Sequence, residues 1–306
     1  MTNSDVSRWC GVFPAVTTQF KEDLSIDFDA TQRVIDGLIK DGVHGLILMG
    51  TVGENNSLQA FEKRRVLKAA KEAIDGRVPA LTGVSELTTE RAEEYARDAE
   101  NIGVDGLMVL PAMVYMPNAD ELDAHFRRVA MAAALPVMIY NNPASYRINI
   151  DIGSLKRLGD VENIVAIKES AEDTRRFTDI FNALGDRFAV FAGLDDMAFE
   201  GLTLGAQGWI SGLTNAFPKE SVALYDLIQR GDLEKARAIY RWFMPLLHLD
   251  SQPNLVQCIK LAEEVMGRGS ERVRMPRMPL AGDERASVIA VVETARDNRP
   301  DLAVTD

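Results

Sequence analysis

The chain has 306 residues, 46% hydrophobic and 26% charged, with a formal net charge of −12. This is an ordinary globular profile, long enough for one α/β barrel or two smaller domains. The negative balance disfavours nucleic acid and anionic membrane as partners, since both need a positive footprint, but a local site can still take a small anionic substrate.

Residues 1–8 are polar and lack the apolar centre of a signal peptide, and no apolar run approaches the length of a membrane span. A cytoplasmic protein is expected. Cys10 and Cys258 form no CxxC pair and read as free thiols. His44, His125 and His248 are scattered, so no bound metal is expected.

From there the chain alternates short apolar runs with amphipathic segments. The runs at 12–18, 45–49, 80–83, 106–110, 137–140, 165–168, 189–192 and 209–211 suit parallel strands covered on both faces. Segments 60–74, 89–102 and 119–133 carry apolar residues at helical spacing, and Asp27, Thr88 and Asp173 are polar helix starts. Eight strand–helix repeats predict a (β/α)8 barrel. A doubly wound sheet is the competitor, but it should carry a Gly-rich fingerprint after the first strand, and Phe13-Pro14-Ala15-Val16 has none. Segment 218–230 completes the barrel. Segments 233–243, 254–266 and 284–295 predict a C-terminal helical extension, with 267–279 a loop rich in Pro and Arg. The expected division is a catalytic barrel over 8–230 and a helical region over 231–306.

A barrel of this kind draws its functional residues from the carboxyl ends of its strands. Lys168 ends the sixth strand, in Ile164-Val165-Ala166-Ile167-Lys168-Glu169-Ser170. The register that buries Lys168 sends Glu169 outward. A buried ammonium loses hydration, so the neutral amine becomes available to condense with a carbonyl. Tyr140 ends the fifth strand and is the candidate acid/base, a phenol that becomes a base beside a cation. Gly50-Thr51-Val52 ends the second strand, where backbone N–H groups can converge on a carboxylate and Thr51 can relay protons by bonding Tyr140. Gly50, Val52, Gly193 and Ser211, all on this rim, are candidate substrate-binding positions. Asp195 and Asp196 read as a helix cap and first turn. Arg175-Arg176 reads as a solvated helix face. Trp242, Phe243, Met244 and Leu246 read as core of the extension.

Three segments together, Gly50-Thr51-Val52-Gly53-Glu54, Tyr140-Asn141-Asn142-Pro143 and Ile167-Lys168-Glu169-Ser170, resemble the GTxGE, YNxP and IKxS motifs of the dihydrodipicolinate synthase / N-acetylneuraminate lyase family. The resemblance runs from Gly11 to about Gly267. It implies a Schiff-base barrel with a C-terminal helical region, usually a homotetramer. It implies Lys168 as Schiff-base former, Tyr140 as proton shuttle, and Thr51 with its adjoining amides as carboxylate binder. No cofactor is implied. The chain departs from dihydrodipicolinate synthases where Val52 replaces a second threonine and Ala112-Met113 a tyrosine pair, with Tyr115 nearby. Ser145 replaces an arginine that holds the second substrate's carboxylate, with Arg147 two further on.

Within the family the chain is most similar to deaminases of 1-pyrroline-4-hydroxy-2-carboxylate, through residues 11–20, 191–196 and 242–250. That similarity implies a small cyclic imino acid opened by transimination onto Lys168. The hydroxyl is then lost, and ammonia and 2,5-dioxopentanoate are released. The alternatives are dihydrodipicolinate synthesis, an aldolase or dehydratase acting on a 2-oxo-3-deoxy sugar acid, and a silent barrel that senses a 2-oxo acid. Apolar Ala112, Met113 and Val114 near the rim weigh against a sugar-acid site, and retention of Lys168, Tyr140 and Thr51 weighs against the sensor.

Overall fold

A computed structural model describes residues 9–112, 115–300 and 302, so the expectations for Met113 and Val114 lie outside the described residues. Eight parallel strands alternate with helices. They are β1 (Gly11–Pro14), β2 (Leu46–Leu48), β3 (Ala80–Val84), β4 (Gly106–Val109), β5 (Val137–Asn141), β6 (Ile164–Glu169), β7 (Ala189–Ala192) and β8 (Gly208–Ser211). Hydrogen bonding runs β1-β8-β7-β6-β5-β4-β3-β2. A bridge between Ala15 and Ile47, with the Val16 N–H donating to Ile47 O at 2.9 Å, closes the ring. The fold is a (β/α)8 barrel.

The strands' side chains sort by alternation into two cores. Phe13, Ile47, Leu81, Met108, Met138, Ala166, Phe191 and Ile210 fill the interior. Val12, Leu46, Leu107, Ile139, Ile167 and Val190 pack outward under the helices. This two-sided burial is why each strand is an unbroken apolar run. One irregularity matters for the site. Val137 pairs with Ile164 but Met138 pairs with Ala166, so Val165 is an extra residue on β6. Beyond this bulge the pairing holds, and Tyr140 stands beside Lys168. Alternation from Met138 and Ala166 then turns both side chains inward.

The helices are α1 (Phe28–Lys40), α2 (Ala60–Ile74), α3 (Thr89–Ile102), α4 (Ala119–Ala132), α5 (Pro143–Tyr146), α6 (Ile152–Leu158), α7 (Arg175–Leu184), α8 (Ala198–Thr203), α9 (Pro218–Gln229), α10 (Leu233–Leu247), α11 (Leu255–Val265) and α12 (Gly282–Asp297). Asp27 and Thr88 cap α1 and α3 as expected, accepting from the N–H groups of Ala30 and Arg91. For α7 the cap position is Thr174 rather than Asp173, whose carboxylate accepts from the Arg175 N–H and side chain instead. α10 runs past Phe243 through Pro245 to Leu247. An internal proline costs about 3 kcal/mol, and fully burying Leu246 and Leu247 offsets it at roughly 1.5–3 kcal/mol each. Phe243 is fully buried there, while Trp242 and Met244 are partly buried against the core. Cys10 is exposed and Cys258 buried, both free. Among the described residues no helix is long and apolar enough to cross a membrane.

The extension is tied to the barrel by a buried ion pair. Lys260 of α11, fully buried, donates to Glu54 Oε1 at 2.9 Å and to Thr18 O at 2.8 Å. Glu54 also accepts from the Arg274 N–H at 2.9 Å. Both ends of the carboxylate are thereby held at the far end of the Gly50–Glu54 turn. Removing one partner of a buried pair strands the other charge. Lys260→Met is expected to lower unfolding free energy by about 3–5 kcal/mol in urea denaturation; a loss under about 1 kcal/mol would make the pair dispensable to the fold.

Candidate active site

Lys168 is 7% exposed. Burial lowers its pKa from the ordinary lysine value, opposed by the negative charge of Asp250. Its Nζ lies 4.1 Å from the centroid of the Tyr140 ring. The Tyr140 phenol is pushed up by burial, with an opposing hydrogen bond from Asn142 Nδ2 at 3.0 Å. A phenol held toward its protonated form beside an amine biased toward its neutral form is a pair that can trade a proton with a bound carbonyl group.

The seat of the lysine depends on a missing side chain. A Cβ at Gly193 would lie 2.8 Å from Lys168 Cγ, 2.9 Å from its Cε and 2.0 Å from Ser170 Oγ. Only glycine at the end of β7 leaves the lysine this path. Glu169 points out of the barrel, as its phase requires, and meets Arg176 at 2.8 Å. Arg176 is therefore no solvated face residue. It pins Glu169 and also donates to Ile150 O, while Arg175 stays exposed with Asp173.

These groups open on a cavity of about 700 Å³ at the carboxyl ends of the strands. Gly50, Thr51 and Val52 line it, and so do Tyr140, Lys168 and Gly193. Thr51 does not bond Tyr140 as expected. Its hydroxyl lies 2.7 Å from the hydroxyl of Tyr146. Tyr146 stands edge-on to Tyr140, centroids 5.7 Å apart at 88°. The link from Thr51 to Tyr140 thus passes through a residue that motif reading missed. Tyr146 ends α5, the single turn that starts at Pro143.

Ser211 is not part of the cavity wall. Its hydroxyl, fully buried, donates to Asp195 Oδ2 at 3.1 Å and accepts from the Thr214 N–H at 3.0 Å. The wall at the end of β8 is Gly212. Asp195 is no helix cap either. It accepts from Trp209 Nε1 at 2.9 Å and the Leu213 N–H at 2.9 Å, stitching the ends of β7 and β8 from inside. Burial raises its pKa well above the carboxylate range. Asp196 does face the cavity, and its carboxylate lies 3.0 Å from His248 Nδ1. Asp250, after α10, was not foreseen. It lines the cavity, and burial pushes its carboxyl up to about 6 against the opposing charge of Lys168. Tyr115 is exposed and neither it nor Arg147 lines the cavity.

The sequence pattern of the dihydrodipicolinate synthetase family matches residues 8–295. The chain belongs to this family. A 4-hydroxy-tetrahydrodipicolinate synthase of Syntrophobacter fumaroxidans is 32% identical over 276 residues, 90% of this chain and 94% of the relative. One from Geotalea uraniireducens is 32% identical over 287 residues, covering 92% and 97%. Among solved structures, dihydrodipicolinate synthase from Aquifex aeolicus superposes with a TM-score of 0.89 at 27% identity, covering 94% of this chain and 98% of that one. A prophage protein of the family from E. coli K12, in complex with pyruvate, gives 0.89 at 30% identity over 94% and 99%. Members of the dihydrodipicolinate synthetase family are class I Schiff-base lyases, and the chain is an enzyme of that broad type.

Proposed function

We propose that the chain is a lyase that holds a small 2-oxo acid, or its cyclic imine, as a Schiff base on Lys168. The observation that carries this is the buried amine of Lys168 against the Tyr140 ring at the floor of an open cavity. The amine adds to the C=O carbon and its proton passes to the oxygen. The carbinolamine then expels that oxygen as water, taking a proton from Tyr140. The resulting iminium acidifies the next carbon, and the Tyr140 phenolate, now facing a cation, removes its proton. Thr51 and the amides of its turn are placed to receive the substrate carboxylate, with Tyr146 fixing the threonine hydroxyl. No organic cofactor or metal enters this chemistry. The assembly proposed is a homotetramer.

The named relatives favour 4-hydroxy-tetrahydrodipicolinate synthesis, with aldol cleavage or dehydration of a 2-oxo-3-deoxy sugar acid beside it as a variant of the same Schiff-base chemistry. One observation favours the second reading, the deaminase of 1-pyrroline-4-hydroxy-2-carboxylate. Lys168 is the cationic side chain lining the described cavity, and Ser145 stands on its wall where a synthase would hold a second carboxylate with a guanidinium. A substrate with one carboxylate suits that wall.

Borohydride reduction in the presence of pyruvate, followed by peptide mass spectrometry, tests the common step. A reduced adduct on Lys168 is the expected result, and none with any 2-oxo acid or imine removes the proposal. Product analysis then separates the readings. Ammonia released from the hydroxypyrroline marks the deaminase; turnover of pyruvate with aspartate semialdehyde, or cleavage of a sugar acid, marks the others. Asn142→Ala strips one hydrogen bond from the Tyr140 hydroxyl and is expected to lower kcat about tenfold, measured on whichever substrate turns over.

A further inference from the structure

Asp250 is a cavity group that this chemistry leaves unused. It comes from the turn after α10, outside the strand ends that supply Lys168 and Tyr140. Its carboxylate rests on Gly212, where a Cβ would come within 2.2 Å of Oδ1. Asp250 is half-buried, and among the described residues no hydrogen bond reaches its oxygens. Lys168 and Asp250 each hold the other toward its charged form. The remaining charged side chains on the wall are Glu172 and Asp196. The cavity therefore opposes one amine with three carboxylates, and that amine is the group to be consumed in the imine.

We propose that Asp250 sets substrate selection at this site: it accepts 2-oxo acids or imino acids whose chain beyond the reacting carbon carries a hydroxyl or amine donor, and rejects those ending in a second carboxylate. The inference rests on the Schiff-base reading. A substrate's own carboxylate is met at the Thr51 turn. Whatever lies at the other end meets Asp250 in a site partly shielded from water, where like charges repel far more than in bulk solvent. A hydroxyl or ammonium there finds an acceptor already in place. A substrate without such a donor that covers the carboxylate takes its oxygens from water and gives them no hydrogen bond in return, which is costly. The glycine at 212 gives the carboxylate room to hold that place. Acting only as a counter-ion to Lys168, Asp250 would change trapping of all 2-oxo acids alike. As a selector it changes their ratio.

The test measures rates of borohydride trapping on Lys168 for pyruvate, 2-oxoglutarate and 2-oxo-5-methylhexanoate, the last matching 2-oxoglutarate in shape without its second charge. Wild-type protein should trap the neutral chain at least about tenfold faster than 2-oxoglutarate. Asp250→Asn should bring the two within about threefold by raising the 2-oxoglutarate rate relative to pyruvate. Circular dichroism confirms that the variant is folded, and Asp250→Ser serves in its place otherwise. No adduct with any probe overturns the Schiff-base reading itself. Pyruvate trapping with equal rates for the two longer acids in wild type overturns the selection role alone. So does a ratio unchanged in the folded variant.

Discussion

Lys168→Met is expected to abolish turnover, by on the order of 10⁴-fold or more, with no fall in melting temperature. Covalent catalysis has no substitute when its nucleophile is gone, since the remaining groups can bind the substrate but cannot form the iminium that acidifies its neighbouring carbon. Stability should not suffer, because methionine nearly conserves the volume and needs no hydration. The lysine sits where burial disfavours its charge, so the fold carries it at a cost. The pH dependence follows from the same shift. Adduct formation needs the free amine, so the trapping rate rises as pH climbs through the Lys168 pKa. Burial places that rise below the ordinary value of 10.5, and the opposing charge of Asp250 limits how far. A trapping profile centred at or above 10.5, or a Lys168→Met enzyme with substantial activity, would be incompatible with the proposed chemistry.

Much of this site is legible in the sequence. Strands buried on both faces leave short, unbroken apolar runs, and a lysine ending one of them stands out because nothing in a parallel barrel strand calls for a charge. Tyr140 and the Gly50–Val52 turn follow from the same rule that chemistry gathers at one end of the barrel. Partners that depend on lateral reach were not legible. Tyr146 meets Thr51 only because α5 is a single turn that folds back over the cavity, and no periodicity announces that. Asp250 enters the cavity of Lys168 from the helical extension, more than 80 residues on in the chain, through a seat made by Gly212. Asp195 carries the local signature of a cap, yet indole and amide donors from β8 and beyond claim it. Arg176 looked solvated because its partner, Glu169, faces outward on the reverse side of the catalytic strand. In each case the local pattern was ordinary, and a contact made by the tertiary fold decided the outcome.

Gly193→Ala follows the same logic in reverse, turning a contact distant in sequence into a measurable loss. A single methyl group there would overlap Ser170 Oγ at 2.0 Å and press on Lys168 Cγ and Cε at 2.8 and 2.9 Å. Real Cβ contacts do not come that close, so something moves. The serine hydroxyl is held at most by a weak contact with the Tyr140 hydroxyl, whereas the lysine is walled in by the Tyr140 ring. A displacement of about 1 Å at a reacting nitrogen is enough to cost about 10²-fold in rate, and the strain is expected to lower stability by about 1–3 kcal/mol. The double variant with Ser170→Ala separates the two effects. Deleting the hydroxyl removes the shorter overlap and should recover most of the stability, read from urea denaturation. The pressure on Lys168 remains, so kcat and the borohydride trapping rate should stay low. Were the double variant to regain wild-type trapping, the methyl would have acted through Ser170 alone, and the glycine would not be what positions the amine.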